Sequence, residues 1–261
     1  MIKLNNKIID VNHFPDGTLL LKQSINLYKG TVNIITWHYE NNEELITLIF
    51  LVKHLQEHGI DKIDLSMPYL PNARQDRVKN SEDIFTLKYF AEIINSLNFG
   101  CIQMMDVHSN VGTALINRGF SCFPYLPIQE AKNDCKPDMV FFPDEGAMKR
   151  YSGEIKMPYA FGVKNRDWKT GEIKGLDVIT NCDVKDKTIL IIDDICSRGG
   201  TFYHSAKKLK ELGAKEIYLY ITHCENTILE GELLTSGLIE KVYTTNSIFT
   251  KEHEKIEVFE L

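Results

Sequence analysis

The stretch "TILIIDDICSRGGTFYHSAKKLKELGA" (188–214) decides the fold. Its first seven residues are a continuous apolar run closed by two aspartates, Asp193 and Asp194. An unbroken apolar run of that length suits a strand covered on both faces. Residues 200–214 then place apolar side chains at helical spacing, and the loop between carries Ser197, Arg198, Gly199, Gly200 and Thr201. A strand, a glycine-containing turn and a helix make up half of a βαβ unit. The same rhythm runs along the chain. Strands are expected at "TVNIITW" (31–37), "IDKIDLSMPYL" (60–70), "CIQMMDVH" (101–108), "DMVFFPD" (138–144), "EIYLYITH" (216–223) and "KVYTT" (241–245). Helices are expected at "NEELITLIFLVKHLQEHG" (42–59), "DIFTLKYFAEIINSLNFG" (83–100) and a short segment near 145–152, the first two each closed by a glycine.

Repeated units of this kind predict an α/β chain with mostly parallel sheets flanked by helices. The pattern is weakest over 119–137, which holds Pro124, Pro127 and Pro137. The domain boundary is placed there, giving an N-terminal domain 1–130 and a C-terminal domain 131–261.

Bulk properties narrow the function classes. The chain has 261 residues, 43% of them hydrophobic and 25% charged, the composition of a soluble globular protein. No apolar run reaches the roughly 18 residues that cross a bilayer, and "MIKLNNKIIDVNHF" has no signal-peptide core. A cytoplasmic protein with no membrane partner is expected. The net charge of −6, without a basic stripe, argues against a nucleic-acid partner. The six cysteines form no CxxC pair, so they suggest neither a zinc site nor a redox motif.

In open parallel sheets, ligands bind beyond the carboxyl ends of the strands. Four polar clusters fall at such ends: "PYLPNARQDR" (68–77), "DVHSN" (106–110), "PDEGAMKR" (143–150) and "DDICSRGGT" (193–201). In the last, backbone N–H groups of the glycine turn and the positive end of the following helix would cradle a phosphate. Asp193 and Asp194 would repel that phosphate. They suit sugar hydroxyls, each accepting a charge-assisted hydrogen bond. An acid pair beside an anion cradle points to a sugar phosphate.

These clusters carry a resemblance. "DDICSRGGT" resembles the phosphoribosyl-pyrophosphate loop of type I phosphoribosyltransferase folds. "MPYLPNARQDR" (67–77) resembles a segment of the ribose-phosphate diphosphokinase (phosphoribosyl pyrophosphate, PRPP, synthetase) family. "MDVHSN" (105–110), "FPDEGAMKR" (142–150), "GVKNRD" (162–167) and "HFPDGT" (13–18) are similar to that family's segments in order and spacing. The resemblance covers nearly the whole chain. It implies two phosphoribosyltransferase-like domains with the active site between them, and ATP and a ribose 5-phosphate-containing molecule as substrates. Arg74, Gln75, Asp76 and Arg77 match the ATP-binding segment. Phe14 and Asp16 match a loop that reaches the adenine of a neighbouring subunit, so a homo-oligomer is implied. His108 and Asp144 match ligands of magnesium, the implied cofactor. Lys164 and Arg166 match the mobile catalytic loop, Asp193 and Asp194 the ribose-hydroxyl contacts, and Ser197, Arg198, Gly199, Gly200 and Thr201 the 5-phosphate loop.

Elementary chemistry agrees with these roles. Diphosphoryl transfer needs in-line placement and cations against charge on phosphate oxygens. Arg74, Arg77, Lys164, Arg166 and a hard metal ion supply them. The polar stretch "KNRDWKTGEIKG" (164–175), with Gly171 and Gly175, suits a lid over the reacting phosphates. Each residue also has a structural rival. Asp144 suits a helix N-cap, Arg74 and Arg77 a salt-bridge network with Asp76, His108 a satisfied strand-end histidine, and Lys164 and Arg166 a solvated loop face. His223 reads as structural, and His54 and His58 as solvent-facing.

The sequence departs from the family pattern twice. Only 12 residues precede "HFPDGT", where the family has a strand, a helix and a second strand, and Thr18 stands where an acidic residue is usual; both bear on the subunit arrangement. Ser197 and Arg198 replace an aspartate and a threonine, which moves the phosphate loop two charge units toward positive. Arg198 then either replaces a lost hydroxyl contact or grips a second phosphate, as ADP-ribose would present. The leading reading is transfer of the β,γ-diphosphoryl group of ATP to C1 of ribose 5-phosphate. The same chemistry on ADP-ribose, a non-catalytic regulatory protein, and an ordinary phosphoribosyltransferase are the alternatives.

Overall fold

The structure, a computed structural model, describes residues 1–22, 30–166 and 173–261, with the side chains of all of these except 164–166 and 173–176. The chain divides into two compact units, Met1–Phe123 and Pro124–Leu261.

Unit 1 begins with three short pieces, β1 (Ile2–Leu4), β2 (Lys7–Ile8) and β3 (Val11–His13), and continues with β4 (Leu19–Leu21), β5 (Asn33–Trp37), α1 (Glu43–Glu57), β6 (Ile63–Ser66), α2 (Thr86–Ser96), β7 (Ile102–Met105), α3 (Asn110–Leu115) and β8 (Gly119–Cys122). Its six-stranded sheet has the order β2-β1-β5-β6-β7-β8. The pairs β5·β6, β6·β7 and β7·β8 are parallel, and β1 and β2 add an antiparallel edge. β3 and β4 form a separate hairpin. Helix α1 forms because Leu48, Leu51, Val52 and Leu55 recur at i, i+3, i+4 and i+7, and all four are buried. Leu87, Phe90, Ala91 and Ile94 do the same for α2. That helix starts three residues later than its pattern suggests. The Asp83 carboxylate accepts the N–H groups of Lys79 and Asn80, which ties it into the preceding turn.

Unit 2 contains α4 (Tyr125–Cys135), β9 (Met139–Phe142), α5 (Glu145–Tyr151), β10 (Tyr159–Arg166), β11 (Ile173–Thr180), β12 (Thr188–Cys196), α6 (Gly200–Glu211), β13 (Glu216–Cys224), a 3₁₀ turn (Asn226–Glu230), β14 (Lys241–Thr245) and β15 (Ile256–Phe259). The seven strands run β11-β10-β9-β12-β13-β14-β15, all parallel except β11, which pairs antiparallel with β10. Ile189, Leu190, Ile191 and Ile192 are fully buried, as their unbroken apolar run requires.

The division between the units lies at 123/124, not at 130/131. The expected boundary falls inside α4, a helix that the prolines concealed. Pro124 is its N-cap and Pro127 lies in its first turn, where a missing N–H leaves no intrahelical bond unmade. The strand expected over 60–70 is short for a related reason. Pro68 lacks the N–H needed to continue a ladder, and the chain leaves the sheet after Ser66.

Candidate active site

In unit 1, parallel β6 and β7 end side by side, and each hands over to one of the polar clusters. Met67 donates its N–H to Gln103 and Met105 donates to Pro68, so the two exits are stitched together. The segment after β6 is anchored by buried Met67, Leu70 and Ala73. Between and beyond these anchors it exposes Arg74, Gln75 and Arg77. Asp76 turns inward. Its carboxylate, 4% exposed, accepts from Arg77 Nε at 2.7 Å and from Arg77 Nη2 at 3.0 Å, while the arginine stays 63% exposed. Hydrogen bonds from Arg77 and then Ser109, with the Arg77 charge adding to them, hold the Asp76 carboxyl below its ordinary range despite burial. Gln75 Oε1 accepts from Thr86 Oγ1 at 2.7 Å, fixing the segment to the start of α2. The salt-bridge reading of Arg77 with Asp76 therefore holds as geometry. It is compatible with ligand binding, because a two-bonded guanidinium has five N–H donors. His108 follows β7, half-buried, beside Asp76.

Phe14 and Asp16 lie at the tip of the β3–β4 hairpin. Phe14 and Thr18 close the turn, with Phe14 N–H to Thr18 O at 2.8 Å, and Gly17 adopts φ +83°. Asp16 Oδ1 accepts the Thr18 N–H at 3.0 Å and the Thr18 hydroxyl at 2.7 Å, which lowers its pKa. Thr18, the departure from the family pattern, thus braces Asp16. Phe14 is 48% exposed, and His13 Nε2 contacts Glu43 of α1.

In unit 2 the parallel register pairs Ile189, Leu190 and Ile191 of β12 with Met139, Val140 and Phe141 of β9. Continued by three residues, that register brings Asp144 level with Asp194. Asp144 caps α5, with Oδ1 accepting the Ala147 N–H at 3.0 Å. Asp194 is buried and forms an ion pair at 2.6 Å with Arg150 Nη1 of α5. Asp193 accepts the Asp194 N–H through Oδ1 at 2.9 Å. Burial, then the charge of Asp194, push the Asp193 carboxyl well above its ordinary value. The two aspartates are thus unequal: Asp194 is anchored to an arginine, while Asp193 is partly exposed. Arg150 is the last residue of "PDEGAMKR". Its position in the last turn of a helix gave no sign of its partner.

After Cys196 the chain turns through Ser197, Arg198 and Gly199 into α6. Gly199 is the N-cap with φ +81°, a left-handed conformation that favours glycine. The first turn of α6, with Gly200 and Thr201, presents N–H groups without intrahelical partners. A second segment, 225–233, walls this loop. Glu225 N–H donates to Cys196 O at 2.8 Å. Ser197 Oγ and Thr227 Oγ1 share a hydrogen bond at 3.2 Å, and Thr227 Oγ1 donates to Glu225 Oε2 at 3.1 Å. Leu233 packs under Gly199, and Gly231 lies so close that a Cβ there would sit 1.9 Å from Arg198 O. Arg198 itself donates from Nη2 to Glu230 Oε2 at 3.1 Å. None of these wall residues was assigned from sequence, since only their contacts with the loop reveal them.

Lys164 and Arg166 sit on β10, opposite Leu176 and Ile173 of β11, with a register shift between Asn165 and Arg166. Their side chains, and the centre of the expected lid, lie outside the described residues. Among the described residues, no three or more His, Cys, Asp or Glu side chains cluster as a metal site, and no helix is long and apolar enough to cross a membrane.

Two α/β units of this build, with an arginine segment at the strand exits of one and an acid-and-glycine loop at the strand exits of the other, define a two-domain enzyme of phosphoribosyltransferase-like fold. A crystal structure of phosphoribosylpyrophosphate synthetase from Mycobacterium smegmatis has that fold, with a TM-score of 0.80 at 20% identity over 97% of this chain and 86% of that one. Residues 1–97 match the family model of the N-terminal domain of ribose phosphate pyrophosphokinase, and residues 171–260 match that of the phosphoribosyl synthetase-associated domain. The chain is 30% identical to the ribose-phosphate pyrophosphokinase of Pyrococcus abyssi, covering 96% of this chain and 87% of the relative. It is 29% identical to that of Thermococcus kodakarensis (93% and 86%) and 26% identical to that of Saccharolobus solfataricus (99% and 89%). The chain belongs to the ribose-phosphate pyrophosphokinase family, a family of ATP-dependent transferases.

Proposed function

We propose that the protein transfers the β,γ-diphosphoryl group of ATP to the anomeric hydroxyl of ribose 5-phosphate, giving PRPP and AMP. The observation that carries this reading is the build of unit 2. The end of β12 carries Asp194 and a partly exposed Asp193, and it leads into a glycine loop that opens helix α6. That is an arrangement for ribose hydroxyls on one side and a phosphate on the other. Unit 1 supplies the ATP side. Arg77, mounted on Asp76, and Arg74 offer guanidinium groups to the triphosphate, and Phe14 offers an exposed ring to adenine. Lys164 and Arg166 are the catalytic pair, meeting charge on the transferred phosphates. The chemistry is placement and charge neutralisation, so the protein forms no covalent intermediate.

Magnesium fits the donors present. It binds through one or two protein groups while keeping several waters and substrate phosphate oxygens, so the absence of a three-residue cluster among the described residues is compatible with it. His108 in unit 1 and Asp144 in unit 2 would each serve as a ligand to such an ion, and a carboxylate can cap a helix through one oxygen and face a hydrated ion through the other. When bound, the ion neutralises phosphate charge. The protein is read as a homo-oligomer, in which Phe14 serves a neighbouring subunit.

Arg198 favours a second reading of the acceptor. An exposed guanidinium on the phosphate loop would meet a second phosphate, so ADP-ribose is the competing acceptor. The regulatory reading is opposed by the presence of Lys164, Arg166, His108 and Asp144, and the phosphoribosyltransferase reading by the arginine segment. The test supplies ATP and magnesium with either ribose 5-phosphate or ADP-ribose, and follows AMP release with mass detection of the sugar product. AMP and PRPP with ribose 5-phosphate are expected. AMP with ADP-ribose alone transfers the role to the second acceptor, and no AMP with either removes the transferase reading.

A further inference from the structure

We propose that Glu230 determines how tightly the acceptor phosphate is held, by acting as a resident counter-ion to Arg198. This rests on reading residues 197–201 as the acceptor's phosphate loop.

Arg198 places one positive charge on the glycine loop of unit 2. Glu230 sets a negative charge against it, 3.1 Å from the guanidinium. It comes from the 3₁₀ turn that walls the loop, so its placement is part of the fold of unit 2.

The pair is not needed to hold the loop in shape. Four uncharged contacts already do so: Glu225 N–H to Cys196 O, Ser197 to Thr227, Gly231 against the Arg198 carbonyl, and Leu233 beneath Gly199. Arg198 and Glu230 are 73% and 59% exposed, and an ion pair that open to water contributes at most about 1 kcal/mol. A weak contact is a poor brace and a good competitor. A phosphate arriving at the loop meets a guanidinium that already has an anion, and it meets that anion's negative charge as well. Glu230 therefore lowers the affinity of the loop for any phosphate, and Arg198 engages an acceptor only as its contact with Glu230 is exchanged.

The experiment measures binding of inorganic phosphate to the full chain by calorimetry for wild type, E230Q, R198A and R198A/E230Q, at low and at moderate salt. Glu230→Gln is expected to tighten phosphate binding about three- to fivefold at low salt, with the gain shrinking as salt rises, and to have no effect in the R198A background. In turnover, the same variant is expected to lower KM for the acceptor and leave KM for ATP unmoved. Unchanged or weakened phosphate binding in E230Q, no phosphate binding in either protein, or a gain that persists without Arg198 overturns the proposal. Phosphate binding that follows this pattern in a protein that makes no AMP leaves the counter-ion role standing and removes only the transferase reading.

Discussion

Each unit buries a carboxylate and pairs it with an arginine, and the two pairs are built for opposite ends. In unit 1 the acid is hidden and the base is not: Asp76 is 4% exposed and Arg77 63%. The carboxylate serves as a mount that fixes one side of the guanidinium and leaves it facing solvent. In unit 2 both partners are withdrawn, Asp194 at 4% and Arg150 at 23%, and the pair joins the end of β12 to α5. The difference shows that a carboxylate–arginine pair at a strand exit cannot be read as ligand-binding from residue type alone. Exposure of the arginine separates a presented cation from an internal strut.

The largest test of that contrast is Asp194→Ala. It would take the carboxylate away from a mostly buried guanidinium, and a loss of about 3 kcal/mol is expected in urea unfolding. A loss of a few tenths would show that the pair is no strut. Asp76→Ala should do the reverse. Unfolding should barely change, because the released arginine is already in water, while KM for ATP rises about tenfold through loss of the orienting hydrogen bonds. Equal damage to stability in the two variants would erase the distinction. Phe14→Ala is expected to be milder still. Stacking on adenine by a half-exposed ring is worth about 1 kcal/mol, the lower end of the usual range, so ATP affinity should fall about fivefold, with acceptor KM and melting temperature unchanged. An unchanged ATP affinity would leave the hairpin tip without a role in binding.

Most of the parallel strands were legible because their cores are unbroken apolar runs such as Ile189–Ile192, which tolerate few other interpretations. The β10–β11 pair was not. β10 mixes Lys, Asn and Arg with apolar side chains, and β11 is an antiparallel addition at the sheet edge with no helix before it among the described residues. Helix α4 was masked by its own prolines. Four strand-exit clusters were visible, because polar residues after an apolar run are a local signal; the segment after β13, which begins at Glu225, was not among them. The contacts that assign roles within those clusters were not local. Arg150 meets Asp194, Glu230 meets Arg198, and Thr227 meets Ser197 only because β9, β12 and β13 lie side by side.

The approach of Gly231 to Arg198 has a consequence for how this enzyme can diverge. A methyl group at position 231 would occupy the space of the Arg198 carbonyl oxygen. Any larger residue there would have to turn that peptide and with it the loop, so mutational drift is closed at this one position. Its neighbours are under no such steric ban: residues 198 and 230 project into water and can be exchanged while the main chain stays where it is. A lineage exploring new acceptors would therefore change the electrical character of the loop and keep its shape, with an immobile glycine beside two replaceable charges.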